Sequence, residues 1–176
     1  MISEKKYQIE TERLILNPLP LDKLEQMRGG TQCFLEQSAL SDVIMLAVAD
    51  KIKKMRLLPE DAHPWITYWL IAERETGRGA GLIGCKYLPD EEGYVEAGYA
   101  MAEAYRGRGY MAEALAGFLD WLYDWPFLNG VILRIQDENC ASLRVAANCG
   151  FEEEGIQGGY RIFRYQFETV VSEEEL

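Results

Sequence analysis

The feature that most constrains this chain is a single change of hydrophobic period between Trp65 and Tyr123, made without an intervening linker. Trp65 to Ala72 (WITYWLIA) is a short apolar run rich in β-formers and reads as a buried strand. Gly77-Arg78-Gly79 turns the chain, and Ala80 to Leu88 continues as its hairpin partner. After a second turn at Asp90 to Gly93, Tyr94 to Met101 supplies a third antiparallel member. Helical spacing then takes over: Met111, Leu115, Phe118, Leu119 and Leu122 share one face of a helix from about Gly107 to Tyr123, ended ahead of Pro126. A meander running straight into an amphipathic helix has one economical solution, with the helix laid across the sheet it has just left.

The flanking segments extend that arrangement. Thr11 to Leu19 reads as a first strand stopped by Pro18 and Pro20, and residues 21–61 as two or three helical pieces, the first broken at Gly29-Gly30. Val131 to Ile135 is a buried strand. Asn139 is placed to cap a helix running to Asn148, with Gly150 suited to the left-handed position beyond its end. Tyr160 to Phe167 alternates, with Phe163, Tyr165 and Phe167 on one face, in a closing strand or strands. The expected fold is a mixed sheet with helices on both faces, an α/β or α+β sandwich. At 176 residues, with no linker or repeat, it is expected to be one domain over residues 1–176 with a core from about 10 to 168.

Composition removes several functions. The net charge of −11, from 29 acidic and 18 basic residues, disfavours a nucleic-acid partner. It would draw cationic partners, or serve solubility alone. The tail Ser172-Glu173-Glu174-Glu175-Leu176 reads as a solvated end. No apolar run approaches a bilayer span, and the opening MISEKKYQIE has no signal-peptide core, so the expected setting is cytoplasmic, with no membrane partner. Cys33, Cys85, Cys140 and Cys149 form no C-x-x-C pair and read as reduced thiols in or near the core. With His63 the sole histidine, multi-histidine metal sites and a Ser-His-Asp triad have little support, so no metal is expected.

The chemistry concentrates at Ala104-Tyr105-Arg106-Gly107-Arg108-Gly109-Tyr110-Met111, where a strand passes through a glycine loop into a helix. Backbone N–H groups at such a junction lack partners, and the helix dipole adds partial positive charge. The glycines admit close approach by a pyrophosphate, and Arg106 and Arg108 add cations. Gly77-Arg78-Gly79-Ala80-Gly81 is richer in glycine, but strands flank it and it reads as a plain turn. No G-x-x-x-x-G-K-[ST] occurs, although the 106–111 loop alone leaves a nucleotide such as ATP open as its ligand.

This loop resembles the acyl-CoA-binding loop of the GNAT superfamily, [Q/R]-x-x-G-x-[G/A] ahead of a helix: Arg106 and Gly109 match, and Met111 stands where Gly or Ala is usual. Asp137-Glu138-Asn139-Cys140-Ala141-Ser142, with Val145-Ala146 and Gly150-Phe151, resembles the E-N-x-x-S…G-F element of enzymes related to ribosomal-protein N-acetyltransferases. Glu10-Thr11-Glu12-Arg13-Leu14-Ile15-Leu16 is similar to the T-E-R-L-x-L opening of that subgroup. The three matches occur in family order over residues 10–151. The resemblance implies the GNAT acyl-CoA N-acyltransferase fold, a mixed, mostly antiparallel sheet flanked by helices, with acetyl-CoA as co-substrate. It implies that Met101, Arg106, Gly107, Arg108, Gly109, Tyr110 and Met111 receive the coenzyme, its pyrophosphate on the loop amides, with the Met111 side chain pointing away. It implies that Asn139 reaches the pantetheine arm, with Ser142 beside it.

An amine attacks a thioester only when neutral, and at pH 7 roughly one lysine-like amine in a few thousand is free, against about a tenth of α-amines. A base or a water chain therefore helps. Alternation puts Val95, Ala97, Tyr99 and Met101 on one face of their strand and Tyr94 and Glu96 on the other. Glu96 amid an apolar strand is costly unless used or paired. The resemblance makes it the catalytic base or amine-binding carboxylate, and a structural ion pair is the other reading. Many GNAT enzymes protonate the departing thiolate with a tyrosine seven residues after the Asn, where this chain has Ala146. The subgroup offers Ser142 instead, which could equally be a locally satisfied helix residue. The expected activity is acetyl transfer from acetyl-CoA to a protein N-terminus or a small cationic amine by direct attack in a ternary complex. A non-catalytic acyl-CoA-binding or regulatory module of the same fold is the alternative, and a homodimer stays open.

Overall fold

The computed structural model describes residues 7–169, so the acidic tail at 172–176 lies outside the described residues. The elements run β1 (Ile9–Glu10), β2 (Leu14–Pro18), α1 (Leu21–Gly29), α2 (Asp42–Leu57), α3 (His63–Ile66), β3 (Trp69–Glu73), β4 (Gly79–Cys85), β5 (Tyr94–Met101), α4 (Tyr110–Tyr123), β6 (Gly130–Gln136), α5 (Cys140–Asn148), β7 (Glu152–Gln157) and β8 (Tyr160–Gln166). They build an eight-stranded sheet in the order β1-β2-β3-β4-β5-β6-β8-β7. Every neighbouring pair is antiparallel except β5 and β6. This is the mixed, mostly antiparallel sheet flanked by helices that the resemblance implies.

The apolar face of α4 makes the core against one side of the sheet. Ala114, Leu115, Phe118 and Leu122 are fully buried, and Trp69 meets Phe118 and Trp121 at ring-centroid distances of 5.8 and 4.7 Å. The parallel pair β5–β6 positions the site. It holds register only over Tyr94↔Gly130, Val95↔Val131 and Glu96↔Ile132, although each strand runs on beyond those residues. Past Glu96 the strands part and the sheet is notched, with α4 and α5 in contact on one side.

Four expectations are corrected. Trp65 and Ile66 belong to the helical turn α3 rather than to a strand; Pro64 favours the helix start, and Trp69 Nε1 donates to Pro64 O at 2.9 Å. The strand expected over Thr11 to Leu19 is only Leu14–Pro18: Thr11 N donates to Leu14 O at 2.9 Å, making residues 11–13 a turn, and a further short strand, β1, lies ahead of it. The helix expected from Gly107 starts at Tyr110, because Gly107 and Gly109 take φ of 75° and 74° and cannot continue a right-handed helix. Of the four free thiols, Cys33 and Cys140 are exposed: Cys33 lies in the connection from α1 to α2 and Cys140 opens α5.

Candidate active site

The acidic composition hides a local cationic and dipolar site. Between the end of β5 and the start of α4 the chain makes a helical turn at Glu103–Tyr105 and then loops through Arg106 to Gly109. Gly109 is the N-cap of α4 and carries no side chain that could accept from the first-turn amides. Glu113 N returns to Gly109 O at 3.1 Å, which leaves the amides ahead of it facing outward. A Cβ built at Gly107 would meet nothing within 4 Å, so a ligand oxygen can approach that backbone closely.

The loop opens onto a cleft of about 360 Å³, within the range of small-ligand sites. Its walls are Tyr99, Ala100 and Met101 at the end of β5, Arg106 of the loop, Met111 of α4, and Asn139, Ala141, Ser142 and Val145 of α5. Ser38, Ala39 and Ser41 close it from the segment ahead of α2. A roomier hollow of about 570 Å³ beside β7 and β8 is lined by Glu152, Glu153, Glu154 and Glu168, with Arg164 the cation among them, and would repel a phosphate.

The structure brings Met101, Arg106, Met111, Asn139 and Ser142 to one cleft. Met111, expected to turn aside, contributes to the cleft wall and is otherwise packed in the core. Asn139 is the N-cap of α5, its Oδ1 accepting from Ser142 N at 3.1 Å. The side chains of the two loop arginines serve different neighbours. Arg106 Nε donates to Met101 O at 3.0 Å and stays at the cleft. Arg108 turns toward β3, 3.7 Å from Glu73 and over the Tyr105 ring at 5.3 Å, so part of its charge is already matched. Tyr110 donates from its hydroxyl to Glu73 Oε2 at 2.6 Å, and that hydrogen bond, first among several contacts, holds Glu73 below the usual carboxylate range.

Glu96 does not line the cleft. It is the last β5 residue paired to β6, and by alternation its side chain lies on the sheet face opposite Tyr99. There its carboxylate receives Lys86 Nζ at 2.7 Å and Arg134 Nε at 3.3 Å, so the ion pair foreseen as the alternative is present. The negative charge of Glu96 is therefore offset by two cations.

Two contributors escaped the sequence reading. The Ser38 segment joins the site because Ser38 Oγ accepts from Glu103 N at 3.0 Å, a contact across 65 residues without a local signal. Tyr99 was legible only as a face of β5. Its hydroxyl reaches Ser142 O at 3.5 Å, and burial pushes its phenol up to about 12, so it keeps its proton at neutral pH. The alternation that grouped Tyr99 with Met101 carried that information.

The acetyltransferase (GNAT) domain family matches residues 13–152, which include the loop, β5 and α5. The "Uncharacterized N-acetyltransferase p20" of Bacillus licheniformis is 27% identical over 90 residues, 51% of this chain and 51% of that protein. The match thus spans about half the length of that curated relative. Among solved structures, the RimL ribosomal L7/L12 α-N-protein acetyltransferase in complex with coenzyme A superposes with a TM-score of 0.69 at 16% identity, covering 90% of this chain and 97% of that one. The ribosomal-protein-S5-alanine acetyltransferase of Vibrio fischeri gives 0.65 at 16% identity, covering 90% and 96%. At these identities the structural likeness concerns the fold.

Proposed function

Since the chain belongs to the GNAT acetyltransferase family, we propose that it is a single-domain cytoplasmic enzyme moving the acetyl group of acetyl-CoA onto a primary amine by direct attack in a ternary complex. The observation that carries this reading is the uncapped N-terminus of α4, opening onto a cleft whose far wall is α5 capped by Asn139. The loop amides and Arg106 bind the diphosphate, as the helix dipole and the absence of a side-chain cap favour. Asn139 and the end of β5 align the pantetheine arm. The amine nitrogen attacks the thioester carbonyl, the C–S bond breaks, the amine sheds a proton and the thiolate gains one. Glu96 takes the amine proton through water in the notch, and Ser142, in the cleft wall, donates to sulfur.

The acceptor is a protein N-terminal amine or a small cationic amine. The activities of the RimL and Vibrio fischeri proteins favour the first, and the net charge of −11 suits either. A second reading, a non-catalytic acyl-CoA binder of the same fold, has one specific observation behind it: the helix position that holds a tyrosine in many relatives is a fully buried Ala146. Thiol release from acetyl-CoA over a panel of N-terminal peptides, polyamines and aminoglycosides tests the proposal. Release that depends on one class of amine supports it. Tight coenzyme binding without release across the panel establishes the second reading.

A further inference from the structure

The contacts around the turn between β1 and β2 are denser than a surface turn requires. Glu113, in the first turn of α4, accepts from Thr11 Oγ1 at 2.5 Å, from Arg13 N at 2.9 Å and from Arg13 Nε at 2.7 Å. Arg74 N donates to Arg13 O at 2.8 Å, and Arg74 Nη2 to Thr11 O at 2.7 Å, so the residue just past the end of β3 pins the same turn. The Arg13 guanidinium lies 4.6 Å from the centre of the Tyr110 ring. Held in this way, its remaining arm is aimed: Nη1 donates to Arg108 O at 2.9 Å.

That last bond has a geometric consequence. Arg108 C=O and Gly109 N–H belong to one planar trans peptide, in which the two groups point in opposite directions. A carbonyl gripped by Arg13 therefore turns the Gly109 N–H away from Arg13 and Glu113. Gly109 has φ of 74°, a region glycine enters at little cost, so without the grip this peptide could rotate. The ion pair also matters for charge, because an unpaired Glu113 carboxylate one turn into α4 would oppose an anion at the loop.

We propose that Arg13 is a positioning residue for the acyl donor: it locks the Arg108–Gly109 peptide so that the Gly109 N–H is presented to the coenzyme diphosphate, while neutralising Glu113 behind it. This rests on the reading that the 106–111 loop receives the diphosphate. Arg13 acts through the loop, and its signature is a selective loss of diphosphate recognition.

The test compares CoA, which carries the diphosphate, with pantetheine, which lacks it, by calorimetric and NMR titration of the full chain. Arg13→Lys retains a cation for Glu113 but has no second arm for Arg108 O, and Arg13→Gln removes the charge as well. Both should weaken CoA binding by about tenfold or more, as expected for loss of a charge-assisted hydrogen bond, and change pantetheine binding less than about twofold. If Arg13→Gln fails to fold, Arg13→Lys carries the test. CoA affinity of Arg13→Lys within about twofold of the parent overturns the inference, as does an equal loss for both ligands, which marks a merely structural role. A parent that binds no CoA overturns the underlying reading, and this inference with it.

Discussion

Lys51 gives the sharpest quantitative expectation. It lies on α2 only 3% exposed, with Nζ donating to Ile66 O at 2.7 Å and Cys85 O at 2.8 Å, and sits 4.5 Å from the centre of the Tyr68 ring. It thus ties α2 to the last residues of α3 and β4. Burial lowers its pKa from 10.5 to about 8. Below pH 8 the lysine is charged in both the folded and unfolded chains, and the folded state bears the full desolvation cost. Between about pH 8 and 10.5 the folded chain has released this proton while the unfolded chain keeps it, so stability rises with pH. Across that interval the gain amounts to about 3 kcal/mol. Lys51→Met keeps the packed stem and removes the titration. Urea unfolding of parent and variant at pH 7 and pH 10.5 isolates the term, since the other titrating groups are common to both. The parent-minus-variant difference in unfolding free energy should grow by about 3 kcal/mol at the higher pH. A difference that is flat across the two pH values would refute the reasoning.

Other expectations concern the site. Gly109→Val should abolish CoA binding in calorimetry while circular dichroism shows a folded chain: a β-branched residue is strained at φ 74°, whereas the nearest atom to a new Cβ, Arg13 Nη2 at 3.5 Å, offers no clash. Glu96→Gln should lower kcat/KM at neutral pH by roughly 10²-fold with partial recovery at high pH, as free amine accumulates, and leave CoA affinity nearly constant. A pH–rate profile parallel to that of the parent, at similar height, would leave Glu96 its ion pairs with Lys86 and Arg134 and no part in proton transfer. Ser142→Ala should cost less than Glu96→Gln in the same assay, because a thiol with a pKa near that of cysteine, about 8.5, leaves tolerably without a donor.

Strand β5 was legible residue for residue, because alternation and the flanking turns agree there. The cap at Asn139 and the left-handed Gly150, with φ of 82°, follow from local chemistry and match the sequence reading. Other features depended on information outside any local window. WITYWLIA is apolar but for Thr67, and Trp65 to Trp69 are buried without a break, so its period does not separate the turn of α3 from β3. Strand β7 carries Glu152, Glu153 and Glu154, poor strand formers, and gains cross-strand partners from Arg161 and Arg164 of β8. Lys51 on a helix reads as solvated, and its acceptors lie 15 and 34 residues away. Arg13 falls within a segment that resembles the family and Glu113 just beyond another, but their pairing spans 100 residues and needs the folded sheet to exist. The loop itself was recognisable, whereas the direction in which its peptides face was not.

The proposed reaction passes acetyl directly from acetyl-CoA to an amine in a ternary complex. Its most direct test is mass spectrometry of protein and acceptor together, quenched during the first turnover after mixing with acetyl-CoA and an active amine. The account predicts one acetyl group on the amine nitrogen for each thiol released, and an unmodified protein at every time point. An acetylated cysteine or serine on the chain that appears before the product and decays as it forms would contradict direct attack.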